Sequence, residues 1–226
     1  MSVGSHLSLP RRLELLAWAA KMGAWIIEDD YDSEFHYRGH PLPALKSLDE
    51  ADRVFYAGPF SKALSPGLRL GYLVVPSSAL HRFSRDIELF APISSLLDQM
   101  AVTDFMIDGH FARHLKQMRR LYGERRNALV SALHKVFGDR IVLDVPTGGM
   151  HVIGRFPGCR DDVALAASAQ RRGLSPFALS SCAVGNSIDS GLLLSFTNIP
   201  VEGAAREAQR LLQAIQRLFG SSMNRR

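Results

Sequence analysis

The chain has only two cysteines in 226 residues, Cys159 and Cys182, and they form no motif. That is too few for a disulfide framework, so a reducing cytosol is the default compartment and a cytoplasmic protein the expectation. No apolar stretch reaches the ~20 residues that a membrane-spanning helix requires. Met1 to Pro10 lack the basic start and apolar run of a secretory signal. The eight histidines are scattered without metal-ligand spacing. His36, His40 and His151 read as polar loop or supporting residues rather than ligands. Internal repeats and low-complexity segments are missing too. So is the basic block interleaved with aromatics that marks a nucleic-acid surface. The formal charge of +5 comes from arginines spread along amphipathic helices, which read as solvated faces. What remains is 46% apolar and 22% charged, a globular composition with room for one large or two small domains.

The order of elements predicts an α/β fold. Residues 8–22 read as a helix that Ser8 can cap, with Pro10 near its first turn and Leu13, Leu16, Ala17 and Ala20 at helical spacing. Gly23 stops it, and an apolar strand runs from 24 to 29. Residues 36–52, with Gly39, Pro41 and Pro43, read as irregular. Strands at 54–57 and 70–75 are expected to be antiparallel neighbours, because the link between them is short. Helices follow at about 78–90 and 96–108, with a break at 91–95. A long helix spans 110–137, its apolar stripe formed by Phe111, Leu115, Met118, Tyr122, Leu129, Leu133 and Val136. Its opposite side is basic, with Arg113, Lys116, Arg119, Arg120, Arg126 and Lys135, and reads as solvated. Strands at 141–145 and 150–155, a helix at 161–172 stopped by Gly173, a strand at 192–197 and a last helix at 201–219 suit a small α+β domain.

One stretch organises the rest: Arg53 to Pro76 reads as strand, turn, lone lysine, Pro-Gly break, arginine, strand. Lys62 is expected at the end of a buried strand. Burying an ammonium without a partner is costly and favours the neutral amine, the form that attacks a carbonyl. Arg69, seven residues on, could hold a phosphate by paired hydrogen bonds. Lysine and arginine so placed are the minimum kit for pyridoxal 5'-phosphate (PLP). A surface lysine and a solvated arginine in a β-hairpin read the same from spacing alone. Ser61 beside Lys62 also fits a Ser-Lys hydrolase dyad, disfavoured because neighbours in extended chain face opposite sides.

Upstream, Trp25 to Phe35 is an apolar strand ending in the carboxylates Glu28, Asp29, Asp30, Asp32 and Glu34. Ligands of open α/β sheets bind at the carboxyl ends of strands. PLP needs an acid against its pyridine nitrogen and benefits from a phenol at its ring hydroxyl. Asp29 and Tyr31 are two apart and would share a face in extended chain. A solvated or magnesium-binding acidic loop is the alternative.

Glu28-Asp29-Asp30-Tyr31-Asp32-Ser33-Glu34-Phe35, Pro41-Leu42-Pro43-Ala44-Leu45, Phe60-Ser61-Lys62 and Leu68-Arg69-Leu70-Gly71-Tyr72 together resemble the aminotransferase-like domain of MocR-type regulators of the GntR family. That domain is similar to class I aminotransferases of PLP fold type I. The resemblance implies PLP as cofactor, covalently held by Lys62, with Asp29 at the pyridine nitrogen, Tyr31 at the ring hydroxyl, and Ser61 and Arg69 among the residues that bind it. It implies the C-terminal half of a PLP-binding large domain over 1–109, then a linking helix and small domain over 110–226. It further implies a homodimer, an amino compound or amino acid as effector, and DNA contact only through a winged-helix domain outside this chain.

Two positions depart from the pattern. Pro59 stands where a hydroxyl residue for the phosphate is usual, and Leu193 where class I aminotransferases place the arginine for the substrate carboxylate. A PLP-binding sensor of a regulator and a working aminotransferase therefore compete, with a PLP-free interaction module as a third class. The phosphate-cradling turn and the aromatic ring stacked on PLP are expected in sequence upstream of this chain. Without upstream sheet partners, exposed apolar surface is expected.

Overall fold

The computed structural model describes residues 7–39, 41–90, 95–182 and 190–223. His40 and most of the break expected at 91–95 lie outside them. The chain divides into two compact units between Gln117 and Met118, inside a helix.

In the first unit, α1 (Leu9–Met22) is stopped by Gly23, whose φ of 64° is the left-handed conformation that glycine adopts without a Cβ clash. β1 (Ile26–Asp29) follows. β2 (Val54–Pro59) lies parallel to β1, from Ile26↔Val54 to Asp29↔Ala57. β3 (Gly71–Val74) returns antiparallel beside β2, from Pro59↔Gly71 to Tyr56↔Val74, as the short link requires. Between β2 and β3 the chain makes one helical turn, α2 (Phe60–Ala63), and one 3-10 turn (Pro66–Leu68). α3 (Ser77–Phe90) and α4 (Leu96–Ile107) complete the unit with the start of α5 (His110–Phe137).

Val54 is buried with Leu16 and Leu45, and Leu15, Ile26 and Leu48 pack on them. On the other side of this sheet Phe55 packs against Trp25 and against Phe83 of α3, but much of the apolar surface is open. Ile27 is 76% exposed, and all four residues of β3 are exposed. The apolar surface expected from the sequence is present.

Glu28 belongs to this scaffold rather than to a ligand cluster. Its carboxylate accepts the Leu45 and Lys46 amides at 2.8 and 3.0 Å and lies 3.6 Å from Arg12 Nη1. Arg12 in turn donates to the Pro43 carbonyl at 2.8 Å. The proline-rich segment is thereby tied to β1, and it contains a 3-10 turn (Lys46–Leu48) that periodicity could not show.

In the second unit a sheet of order β4-β5-β7-β6 is antiparallel throughout. Its strands are β4 (Val142–Asp144), β5 (His151–Arg155), β6 (Phe177–Ala178) and β7 (Leu192–Ser195). β6, two residues long, is too short to leave a pattern in the sequence. α6 (Asp162–Gln170), α7 (Ala204–Met223) and the C-terminal part of α5 cover the core. Leu133, Phe137, Val152, Leu165, Phe196 and Ile215 are fully buried in it. Arg126, read above as solvated, is 3% exposed and donates to the Pro146 carbonyl at 3.2 Å. A guanidinium can replace water with carbonyl acceptors, which a residue count along a helix face does not reveal.

Asp162, 1% exposed, anchors this unit. Its carboxylate accepts the Ser180 and Gly191 amides at 2.9 Å each, together with the Ser180 hydroxyl. Burial by itself would raise its pKa. The Ser180 hydroxyl and the two amides outweigh burial and hold the carboxyl below the usual range. A folded pKa below the unfolded one gives stability that is present above about pH 3.9 and lost as pH falls through the folded pKa. Asp162→Ala strands two buried amides, at a cost of about 2–4 kcal/mol. Amide exchange in β7 should accelerate by about thirtyfold to nearly a thousandfold at neutral pH. The difference from the parent should shrink when the same hydrogen-exchange measurement is made below about pH 3.

Candidate functional site

The register of the first sheet fixes which side chains meet. β1 and β2 run parallel, so Asp29 at the end of β1 and α2 just past Pro59 emerge at the same edge. β3 runs back from that edge, so Arg69, immediately before Leu70 and Gly71, starts there too. The Phe60 amide donates to the Leu70 carbonyl at 3.0 Å and holds the ends of the β2–β3 connection together. Asp29, Lys62 and Arg69 thus share one end of the sheet. All three are exposed. Among the described residues, none of their side chains has a hydrogen-bond or ion-pair partner.

Two expectations about this edge need correction. Lys62 is not at the end of a buried strand. Pro59 ends β2, and Lys62 sits exposed on α2. Nor do Asp29 and Tyr31 share the face of a strand, because β1 stops at Asp29. Asp30 turns the chain by accepting the Ser33 amide at 3.1 Å and the Ser33 hydroxyl at 2.6 Å. Tyr31 is half-buried beyond that turn and lines a recess of about 210 Å³ with Tyr56, Gly58, Phe60 and Tyr72. Ser61 is half-buried next to Lys62. The chain there is helical rather than extended, so successive residues are about 100° apart, and no hydrogen bond joins the two among the described residues.

Arg69 has φ 52°, left-handed backbone that costs a non-glycine residue of order 1 kcal/mol. His114 Nε2 lies 2.9 Å from the Ala63 carbonyl, and Phe111 packs edge-on against Phe60, so the first turns of α5 brace the lysine-bearing turn.

The sequence reading missed Tyr56. Its hydroxyl donates to Asp30 Oδ2 at 2.8 Å, and its ring lies 6.0 Å from that of Tyr72. Tyr72 in turn covers Gly58, where any Cβ would collide with the ring. Burial pushes the Tyr56 phenol far above its ordinary value, and the hydrogen bond to Asp30 and the neighbouring Tyr72 add to it. The available signal was a polar tip inside the apolar run Val54-Phe55-Tyr56-Ala57, on the strand beside the acidic one.

The donor set fits PLP: an amine for its carbonyl carbon, a carboxylate for its ring nitrogen, a phenol for its ring oxygen, a guanidinium and a hydroxyl for its phosphate. Pro59 offers no such hydroxyl. In the second unit, Leu193 is 3% exposed, lies between Ile153 and Phe177 in the sheet and packs with Ile153 and Leu179. Arg155, a cation at the end of the neighbouring β5, lies 3.9 Å from Asp144.

The family model for aminotransferase class I and II matches residues 3–185. The chain belongs to this family. Among curated members it is 38% identical over 197 residues to a probable rhizopine catabolism regulatory protein, MocR, of Rhizobium meliloti, covering 87% of this chain and 40% of that protein. It is 33% identical over 221 residues to the HTH-type transcriptional regulator YhdI of Bacillus subtilis, covering 97% of this chain and 47% of that one. The chain thus spans less than half the length of these two regulators. Among solved aminotransferases, α-aminoadipate aminotransferase LysN of Thermus thermophilus, complexed with N-(5'-phosphopyridoxyl)-L-leucine, superposes with a TM-score of 0.83 at 28% identity, covering 95% of this chain and 56% of LysN. No helix among the described residues is long and apolar enough to cross a membrane.

The raised Tyr56 pKa gives a titration test. One of five tyrosines is Tyr56. Tyr56→Phe should leave unchanged the amplitude of the phenolate absorbance step near pH 10, where unperturbed tyrosines ionise. A drop of one-fifth would show that Tyr56 ionises normally.

Proposed function

We propose that this chain is the PLP-binding, effector-sensing part of a MocR-type transcription regulator. The single observation that carries the reading is the set of three unpartnered charges, Asp29, Lys62 and Arg69, at one end of the first sheet. The similarity to two regulators adds direction. In this reading residues 1–109 belong to the PLP-binding large domain and 110–226 form the linking helix and small domain. The intact regulator is a cytoplasmic homodimer that contacts DNA through a winged-helix domain outside this chain.

Bound PLP supplies a carbonyl carbon that bonds to amines and a ring that withdraws electrons from them. Lys62 Nζ would hold that carbon, where an incoming amine would also have to bond. Asp29 would keep a proton on the ring nitrogen, Tyr31 would orient the ring oxygen, and Arg69 with Ser61 would fix the phosphate. In this reading the effector is an amino compound that competes with Lys62 for the carbonyl carbon.

Purified intact protein loaded with PLP should show a visible absorption band, and Lys62→Ala should abolish it. A band that persists in that variant overturns the assignment. Arg69→Gly relieves the left-handed strain but removes the cation. Thermal stability should stay level or rise by about 1 kcal/mol, while PLP affinity falls by about tenfold to a hundredfold.

The LysN superposition gives the second reading, a working aminotransferase. Transamination requires a fixed cation that orients the substrate carboxylate. Leu193 offers none, a loss of about 1.5–3 kcal/mol for a charge-assisted hydrogen bond. Single-turnover spectroscopy with a panel of amino acids should show binding without complete conversion of the cofactor to its amine form. Complete conversion at aminotransferase-like rates would establish the enzyme reading instead.

A further inference from the structure

The second unit holds a recess of about 320 Å³ that neither reading above uses. It opens between α5, the loop of residues 173–176, the end of β7 and the first turns of α7. Its floor is apolar, built from the buried Leu129, Leu133, Leu194 and Leu211. Its rim is charged. Glu207 accepts Arg206 Nε at 3.0 Å and Arg210 Nη1 at 2.6 Å, so one carboxylate serves two guanidiniums and the rim carries one net positive charge. Arg210 spends its other terminal nitrogen on the Arg172 carbonyl at 2.6 Å. Arg206 spends only Nε. Among the described residues, its two terminal nitrogens have no hydrogen-bond partner, and neither has the Asn198 side-chain amide on the same rim.

We propose that this recess is a second ligand site and that it takes a small amphipathic monocarboxylate, with the apolar tail on the leucine floor and the carboxylate on Arg206. Apolar walls with a few convergent polar groups are the usual make-up of a small-molecule site, and the volume lies near the lower bound of about 300 Å³ for such pockets. Two parallel N–H groups of a guanidinium match the two oxygens of a carboxylate, a fit that an alcohol or an ammonium lacks. The single net positive charge complements a monoanion, and Glu207 repels the second charge of a dianion. Floor residues on α5, β7 and α7 belong to the core of the unit, so occupancy stabilises this unit by mass action. The site gives the protein an input that is chemically distinct from an amine at Lys62.

Calorimetric titration of the intact protein with hexanoate, 1-hexanol and hexylamine tests the site. Hexanoate should bind saturably, with the alcohol and the amine at least about tenfold weaker. Arg206 is 73% exposed, so Arg206→Gln should fold normally. It should weaken hexanoate by about tenfold and leave 1-hexanol unchanged. Ser175→Phe, which fills the recess from its exposed rim, should abolish binding of both. Lys62→Ala should leave hexanoate binding intact, which separates this site from the PLP end and from the reading based on it. Absence of saturable hexanoate binding, equal affinity for hexanoate and 1-hexanol, no effect of Arg206→Gln, or loss of binding in Lys62→Ala would each overturn the proposal.

Discussion

The Asp30 amide donates to the Ala57 carbonyl at 2.9 Å, which closes the ladder between β1 and β2. The whole candidate site depends on that register. A slip of one residue in a strand sends each side chain to the opposite face. Here it would swap Asp29 with its neighbours and aim Glu28 or Asp30 at the open edge. Parallel pairing brings the ends of β1 and β2 to one edge, and antiparallel pairing returns the start of β3 to it. Asp29 is thereby brought to the same edge as Lys62 and Arg69, which lie seven residues apart on the β2–β3 connection. The edge is also where an open sheet accepts ligands, because the strands have ended and their connections turn away.

Within the acidic run the work is divided. Glu28 is consumed by the Leu45 and Lys46 amides, and Asp30 by Ser33 and Tyr56. Donors already occupy their carboxylate oxygens, so neither is available to a ligand. Asp29, between them, faces the other way along the strand and has no such donors. Three adjacent carboxylates would repel one another in a bare loop. Here the two engaged ones form the frame, and the remaining one is left to interact outward. The half-buried Tyr56 belongs to this frame, because its hydroxyl ties β2 to the turn that follows β1.

The sequence made the fold class, the helix of residues 110–137 and the antiparallel return after Lys62 legible, because each rests on a period or a link length that local chemistry dictates. It did not reveal that Lys62 rides on a helical turn, since four residues are too few to show a period. It also could not divide Glu28, Asp29 and Asp30 into two framework acids and one free one. That division comes from donors at Lys46, Ser33 and Tyr56, which only the folded chain brings near. The same blindness explains Arg126, whose carbonyl acceptor at Pro146 comes from a loop beyond the end of its helix. Residues that carry charge into a site were readable by type. Residues that hold the site in shape were not, because their roles are set by neighbours rather than by spacing.

Leu193 holds the middle of β7 by apolar packing. Leu192, Leu193 and Leu194 are all buried, so β7 is covered on both faces. An arginine at the middle position must keep a ligand or a carboxylate against it, since an isolated buried cation is costly. Leucine removes that demand and packs directly on Ile153 and Leu179. On the proposed reading, leucine here favours the apolar core over a cation that would hold a substrate carboxylate in line. Asp29, Lys62 and Arg69 are placed by the β1–β2–β3 register, to which Leu193 does not belong. On the proposed reading, a chain so built would bond an amine through Lys62 without the fixed cation that turnover requires, which is the division of abilities a sensor needs.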